Sequence, residues 1–150
     1  MNKIEHKFQK DGTDVIIDLE TAWSVLYSKC TGLNDNGKVK NIYTETFAES
    51  DETKVWITDE PVREPISCTL TLFFVGDNRQ ASYHNFVETI SQGLWYYWDT
   101  KRKRKIKFFL QEAITVKDDN YKGNIKYMEV DFKLTCVWGE SFPCDENGEI

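Results

Sequence analysis

From Ile66 the chain alternates, with Ile66, Cys68, Leu70, Leu72 and Phe74 at spacing two and Ser67, Thr69 and Thr71 between them. A period of two places the first set on one face of a β-strand. Phe73 and Val75 make the end of this strand apolar on both faces. Pro65 lies just before it, where a missing N–H costs a ladder least, and Gly76-Asp77-Asn78 closes it with turn residues. The period then changes. Tyr83, Phe86, Val87 and Ile90 stand at i, i+3, i+4 and i+7, the stripe of an α-helix. The pattern predicts a helix that starts near Asn78, with Asp77 or Asn78 as its cap, and stops near Gly93. At about three turns it is too short to stand alone and must dock on a sheet.

The run Leu94-Trp95-Tyr96-Tyr97-Trp98 is strand material, and the polar piece from Asp99 to Lys103 suits a hairpin tip. The return strand carries Ile106, Phe108 and Leu110 on one face. A break rich in Asp, Asn and Gly is expected from Lys117 to Asn124, before a further strand from Ile125 to Trp138. There Val130, Phe132, Leu134, Cys136 and Trp138 alternate with polar residues. The core positions so assigned are Leu70, Leu72, Phe86, Ile90, Phe108, Phe132 and Leu134. In the first sixty-five residues the pattern is weaker. Val15-Ile16-Ile17 and Trp23 to Tyr27 read as short strands, although Leu19 to Tyr27 also suits a couple of helical turns. Gly32 to Lys38 reads as a loop, Ile42 to Phe47 and Val55 to Ile57 as strands, and Ala48 to Thr53 and Thr58 to Glu64 as acidic connections. The tail from Pro143 to Ile150 is polar and expected to fray. The fold class is therefore mainly β, a β-sandwich or split barrel, with one short α-helix packed against the sheet.

The 150 residues suit a single domain, residues 1–150. Aromatic residues make up 14% of the chain, which suits sheet faces and subunit contacts and argues against disorder. A net charge of −6 argues against specific nucleic-acid binding, which needs a basic field over one face. No apolar stretch is long enough to cross a bilayer and the first residues hold no leader-like apolar segment, so synthesis and folding in the cytoplasm are expected. Cys30, Cys68, Cys136 and Cys144 lack paired spacing, and Cys68 and Cys136 fall on apolar faces, so they read as buried free thiols.

A catalytic constellation is not in view. His6 and His84 have no visible partner, Asp51-Glu52 and Asp118-Asp119 read as solvated turns, and Gly76-Asp77-Asn78 lacks the glycines and lysine of a phosphate loop. No catalytic residue, cofactor or metal is expected. The basic run Lys101, Arg102, Lys103, Arg104, Lys105 and Lys107 reads as a solvated hairpin tip or as a projection toward an acidic partner surface, such as Glu49 to Glu52 or Asp59 to Glu64 of a neighbouring copy; a nucleic-acid contact is a third reading, disfavoured by the acidic chain and the lack of a base-stacking pattern beside the run. Trp95 to Trp98 place two rings on each face of one strand, so one face needs a cover. Trp95, Tyr97, Lys101, Arg102, Lys103 and Arg104 are thus the candidate oligomer interface. A stand-alone ligand-binding β-sandwich, with Trp95 and Trp98 as an aromatic floor, is the alternative.

Four segments together carry a resemblance. They are the strand ending Phe74-Val75-Gly76-Asp77, the helix with Tyr83-His84-Asn85-Phe86, the hairpin Trp98-Asp99-Thr100-Lys101-Arg102 and the closing strand from Val130 to Gly139. In this order they resemble tail proteins of long-tailed bacteriophages, most of all the distal tail, or baseplate hub, component and the related tail-tube subunits. The resemblance covers about half the chain. It implies a sandwich or split barrel flanked by a helix, a hexameric ring around the tail lumen, contacts with other tail proteins, and a place in the virion tail after assembly in the host cytoplasm. The N-terminal third does not clearly match the family's opening strands.

Overall fold

The computed structural model describes residues 4–40, 43–46, 53–56 and 62–150. Among them the main sheet is antiparallel, with strands β1 (His6–Lys10), β2 (Ile16–Asp18), β3 (Val25–Thr31), β6 (Ile66–Val75), β7 (Trp95–Asp99), β8 (Arg104–Lys122) and β9 (Ile125–Cys136) in the order β2-β1-β7-β8-β9-β6-β3. A short β10 (Phe142–Pro143) pairs with the start of β8, and β4 (Tyr43–Thr46) with β5 (Thr53–Trp56) forms a separate two-stranded sheet. Two helices accompany them, α1 (Leu19–Trp23) and α2 (Arg79–Ile90). The fold is mainly β, as the alternation implied.

The outermost strands of this path, β2 and β3, are joined directly through α1. Laid flat, seven strands would hold them roughly 29 Å apart at about 4.8 Å per step. The helix rises only about 7.5 Å and its flanking residues add about 7 Å. The sheet must therefore curl until its edges approach, and they do: the rings of His6 on β1 and Tyr27 on β3 stack with centroids 3.8 Å apart. This is a split barrel closed at a side-chain seam.

The inner face of the curl is the core. Leu70, Leu72, Phe86, Ile90, Phe108, Phe132 and Leu134 are all buried there, with Phe8, Phe74 and Val130. Helix α2 bridges the two halves through Phe86, whose ring lies 5.9 Å from Phe8, 5.0 Å from Trp23, 5.8 Å from Phe74 and 4.8 Å from Phe132. Trp23 Nε1 donates to Asn85 Oδ1 at 3.0 Å, tying α1 to α2. The expected side-chain cap of α2 is absent: Asn78 occupies the N-cap position but makes no side-chain bond to the first turn. Arg79 instead reaches back from Nη1 to the Gly76 carbonyl at 3.1 Å.

Several expectations change. Trp23 ends α1, Ser24 takes a left-handed conformation (φ 51°), and the strand begins only at Val25. A strand not foreseen, β1, comes from His6-Lys7-Phe8-Gln9-Lys10, where His6 and Phe8 alone point inward. The break expected from Lys117 to Asn124 is strand as far as Lys122, and the turn shrinks to Gly123-Asn124. Polar residues suffice there because the arm is exposed on both faces and its ladder is interrupted by register shifts near Leu110, Thr115 and Lys117. The expected β-strand residues Ile42, Phe47 and Ile57, and the acidic stretch 48–52, lie outside the described residues.

Phe86→Ala empties the junction of four rings. Denaturant unfolding should show a loss of about 3–5 kcal/mol, and a loss below about 1 kcal/mol would mean that α2 does not hold the halves together.

Candidate assembly surface

The turn between β7 and β8 is built around Asp99. Its Oδ1 accepts the backbone N–H groups of Lys101 at 2.9 Å and Arg102 at 2.5 Å, and its Oδ2 accepts Arg102 Nε at 2.6 Å. An Asp at this place stabilises a tight turn by replacing the missing backbone acceptors. Burial pushes the Asp99 carboxyl up, yet the backbone N–H and guanidinium of Arg102 outweigh it and hold its pKa below the ordinary value. Burial likewise works against the Arg102 charge, and the bond to Asp99 reverses the effect and raises its pKa.

Arg102 Nη2 donates onward to the hydroxyls of Tyr27 at 3.1 Å and Tyr97 at 3.2 Å, and Tyr97 Oη lies 2.8 Å from His6 Nδ1. Residues of β1, β3, β7 and the turn thus meet in one network along the seam. A shallow cavity of about 430 Å³ opens beside it, lined among others by Glu20 and Lys101.

This placement corrects the interface expected from the sequence. Trp95 and Tyr97 are 3% and 0% exposed. They face the inner side of the barrel against Phe8, at ring distances of 6.5 and 5.5 Å. The opposite face of β7 also has a cover, the tail expected to fray. Trp98 is fully buried, its Nε1 donates to the Glu146 carbonyl at 3.1 Å, and Lys105 Nζ donates to the Gly148 carbonyl at 2.7 Å while lying 4.3 Å from the Tyr96 ring centre. Asp145 folds the tail on itself by accepting the N–H groups of Asn147 and Glu149. An aromatic floor of Trp95 and Trp98 is therefore not open to a ligand. Of the basic tip, Arg102 is bound inward and Arg104 donates to the Ser141 hydroxyl and carbonyl at 3.0 and 2.8 Å, which leaves Lys101 and Lys103 exposed. Of the proposed acidic counterpart, 49–52 and 59–61 lie outside the described residues, while in its described end Glu64 is exposed and Arg63 pairs with Glu140 at 2.6 Å.

A different surface is apolar and open. Leu26, Tyr27, Phe73, Val75, Ile125 and Tyr127 line a groove of about 330 Å³ with Lys122 at its rim. Leu26 and Ile125 are 52% and 57% exposed, and Phe73 meets Tyr127 edge-on at 5.5 Å. The groove runs over the outer face from β3, which has no further strand beyond it among the described residues, across β6 to the tip of the β8–β9 hairpin, where Lys122 and Ile125 flank the turn. The arm itself carries Ile114, Val116 and Tyr121 exposed. A contiguous apolar area next to an unpaired strand edge is the usual mark of a contact surface. Its sequence signal was the doubly apolar end of β6 at Phe73 and Val75, which needs a partner on the outer face as well as the inner one.

Among the described residues no three His, Cys, Asp or Glu side chains gather as metal ligands, and no helix is long and apolar enough to cross a membrane. Cys68 and Cys136 are buried free thiols, and burial pushes Cys68 up to about 12.

No protein-family model matches the chain, and no curated protein matches it. Among solved structures it is similar to Dit (gp 19.1) of phage SPP1, described as a paradigm of the hub adsorption apparatus of phages that infect Gram-positive bacteria. The TM-score is 0.52 at 13% identity, over 92% of this chain and 52% of that one, so this chain spans about half the length of its match. At that identity the likeness is one of fold.

Arg102→Met leaves the buried Asp99 carboxylate without its cation and should destabilise the protein by about 3 kcal/mol, against less than about 0.5 kcal/mol for the exposed Lys101→Met; paired chemical denaturation curves give both values. Gly148 has φ +79°, and a Cβ there would stand 2.6 Å from the Trp98 ring. Gly148→Ala should therefore loosen the tail, costing about 1–2 kcal/mol and making residues 143–150 sensitive to limited proteolysis.

Proposed function

We propose that this chain is a structural subunit of a phage or prophage tail, in the distal tail or tail tube, that performs no reaction and closes into a ring with copies of itself. The observation that carries the reading is the open apolar groove at the β3 edge, Leu26, Phe73, Val75, Ile125 and Tyr127, which extends to the tip of the β8–β9 hairpin. The groove on one side and the stretch of β8 beyond its short pairing with β7, with Ile114 and Val116 exposed, on the other are two different surfaces of one molecule. Contacts between unlike surfaces are heterologous, and they close into a ring when each step adds the right rotation. The fold likeness to a phage hub protein supports the same reading. Its partners would be further copies and adjoining tail proteins, and its place the virion tail after assembly in the bacterial cytoplasm.

Light scattering over a range of protein concentration and salt tests this. A discrete closed oligomer is expected, whose mass changes little with salt because the contact is mainly apolar. Leu26→Glu with Ile125→Glu should reduce it to the monomer while changing folding stability by no more than about 0.5 kcal/mol per site. A monomer at every concentration, or a ring indifferent to both substitutions, would overturn the assignment.

A further inference from the structure

His6 is one of the two histidines of the chain, and it is 3% exposed at the seam that closes the barrel. Its ring stacks on Tyr27 of β3 at 3.8 Å and its Nδ1 lies 2.8 Å from the Tyr97 hydroxyl. Arg102 can only donate, so the Tyr97 oxygen accepts from Nη2 at 3.2 Å. When the Tyr97 hydroxyl proton is turned toward Nδ1, that nitrogen is the unprotonated one of a neutral imidazole. A proton added at Nδ1 obliges the Tyr97 oxygen to accept from both His6 and Arg102, and the hydroxyl proton then loses its acceptor at Nδ1. It would also place a second cation on the network, because the Arg102 guanidinium lies over the Tyr27 ring, 5.9 Å from its centre.

We infer that this seam is a proton-operated latch: neutral His6 holds β1 against β3, and its protonation releases β1 and β2 from β3 and loosens the β1–β7 and β1–β2 ladders while β6 and β9 stay paired. The groups that face His6 are Tyr27 from β3, Tyr97 and Asp99 from β7, Arg102 from the turn, Glu20 from α1 and Asp18 at the end of β2. The three carboxylates favour a charged imidazole, but Asp99 is committed to Arg102 and Asp18 to Lys7 at 3.2 Å. Burial dominates and lowers the His6 pKa from its ordinary 6.5, with Arg102 acting in the same sense. Since the unfolded chain takes up the proton at higher pH than the folded one, the latch contributes fully above about pH 6.5 and is lost as pH falls through the lower folded value. The local character follows from the topology. On one side of the seam stand two short strands of five and three residues, on the other the ten-residue β6 and twelve-residue β9 in continuous register.

The test is an NMR titration of the two imidazoles combined with amide exchange at pH 7.5 and 5.0, corrected for intrinsic rates. The His6 midpoint should fall below 6.5. Below that midpoint the amides of His6–Lys10 and Ile16–Asp18 should lose protection by roughly tenfold per pH unit, while those of β6 and β9 keep theirs. In His6→Gln this pH dependence should vanish; should that variant fail to fold, the titration and exchange of the unaltered protein decide. A His6 midpoint at or above 6.5, parallel loss of protection in β6 and β9, or an unchanged pH dependence in His6→Gln would each overturn the latch.

Discussion

Between Asp18 and Val25 the chain has room for one five-residue helix and little more, and that link joins the opposite edges of the sheet. Much of the architecture follows from its shortness. A flat sheet is excluded, so the strands must coil. Coiling gives an inner face large enough for Phe8, Phe74, Phe108 and Phe132 to share one core, and α2 supplies Phe86 to fill the space among them. The right-handed twist of strands makes such coiling inexpensive, and the register shift between Tyr27 and Lys29 in β3 adds curvature at the edge that must turn furthest.

Where the edges meet, backbone pairing gives way to side chains. The seam uses an ion pair of unequal exposure, a fully buried carboxylate holding a guanidinium that is partly open to water. Such a pair contributes little net stability compared with apolar residues of the same size, but it demands one geometry. Asp99 orders the turn, the turn aims Arg102, and Arg102 fixes two tyrosine hydroxyls. The result is specific closure rather than strong closure. The second cover of β7, the tail laid over Trp98 and Lys105, works similarly: two hydrogen bonds to backbone carbonyls and a cation beside aromatic rings replace the missing layer of a true sandwich.

The strong strand at Ile66 and the helix at Tyr83 were legible because each buries one face along its whole length, and burial of one face is what periodicity records. The arm at Lys117 to Lys122 was not, since a hairpin standing in solvent needs no apolar alternation and its Asp, Asn and Lys residues read as a turn. β1 was missed for a related reason: five residues offer only His6 and Phe8 as a signal. Trp95 and Tyr97 were placed at a surface because a strand apolar on both faces needs two covers, and the second cover is formed by Gly148 and its neighbours, which show no hydrophobic pattern. Arg102 looked like one charge in a basic run. Its role depends on Tyr27 and Tyr97, and the contact with Tyr27, far off in the sequence, leaves no local trace.

Strand alternation in β3 places the Leu26 side chain in the outer groove and turns the Tyr27 ring toward His6, with Tyr27 also bordering the groove. The two sites are therefore neighbours on a single edge strand, and whatever immobilises that strand acts on both. By reciprocity of linked equilibria, any effect of an occupant at Leu26 on closure at Tyr27 is matched by an equal effect of closure on the occupant. Closure of the subunit and contact at its outer face thus share one edge strand, side by side and not across the core.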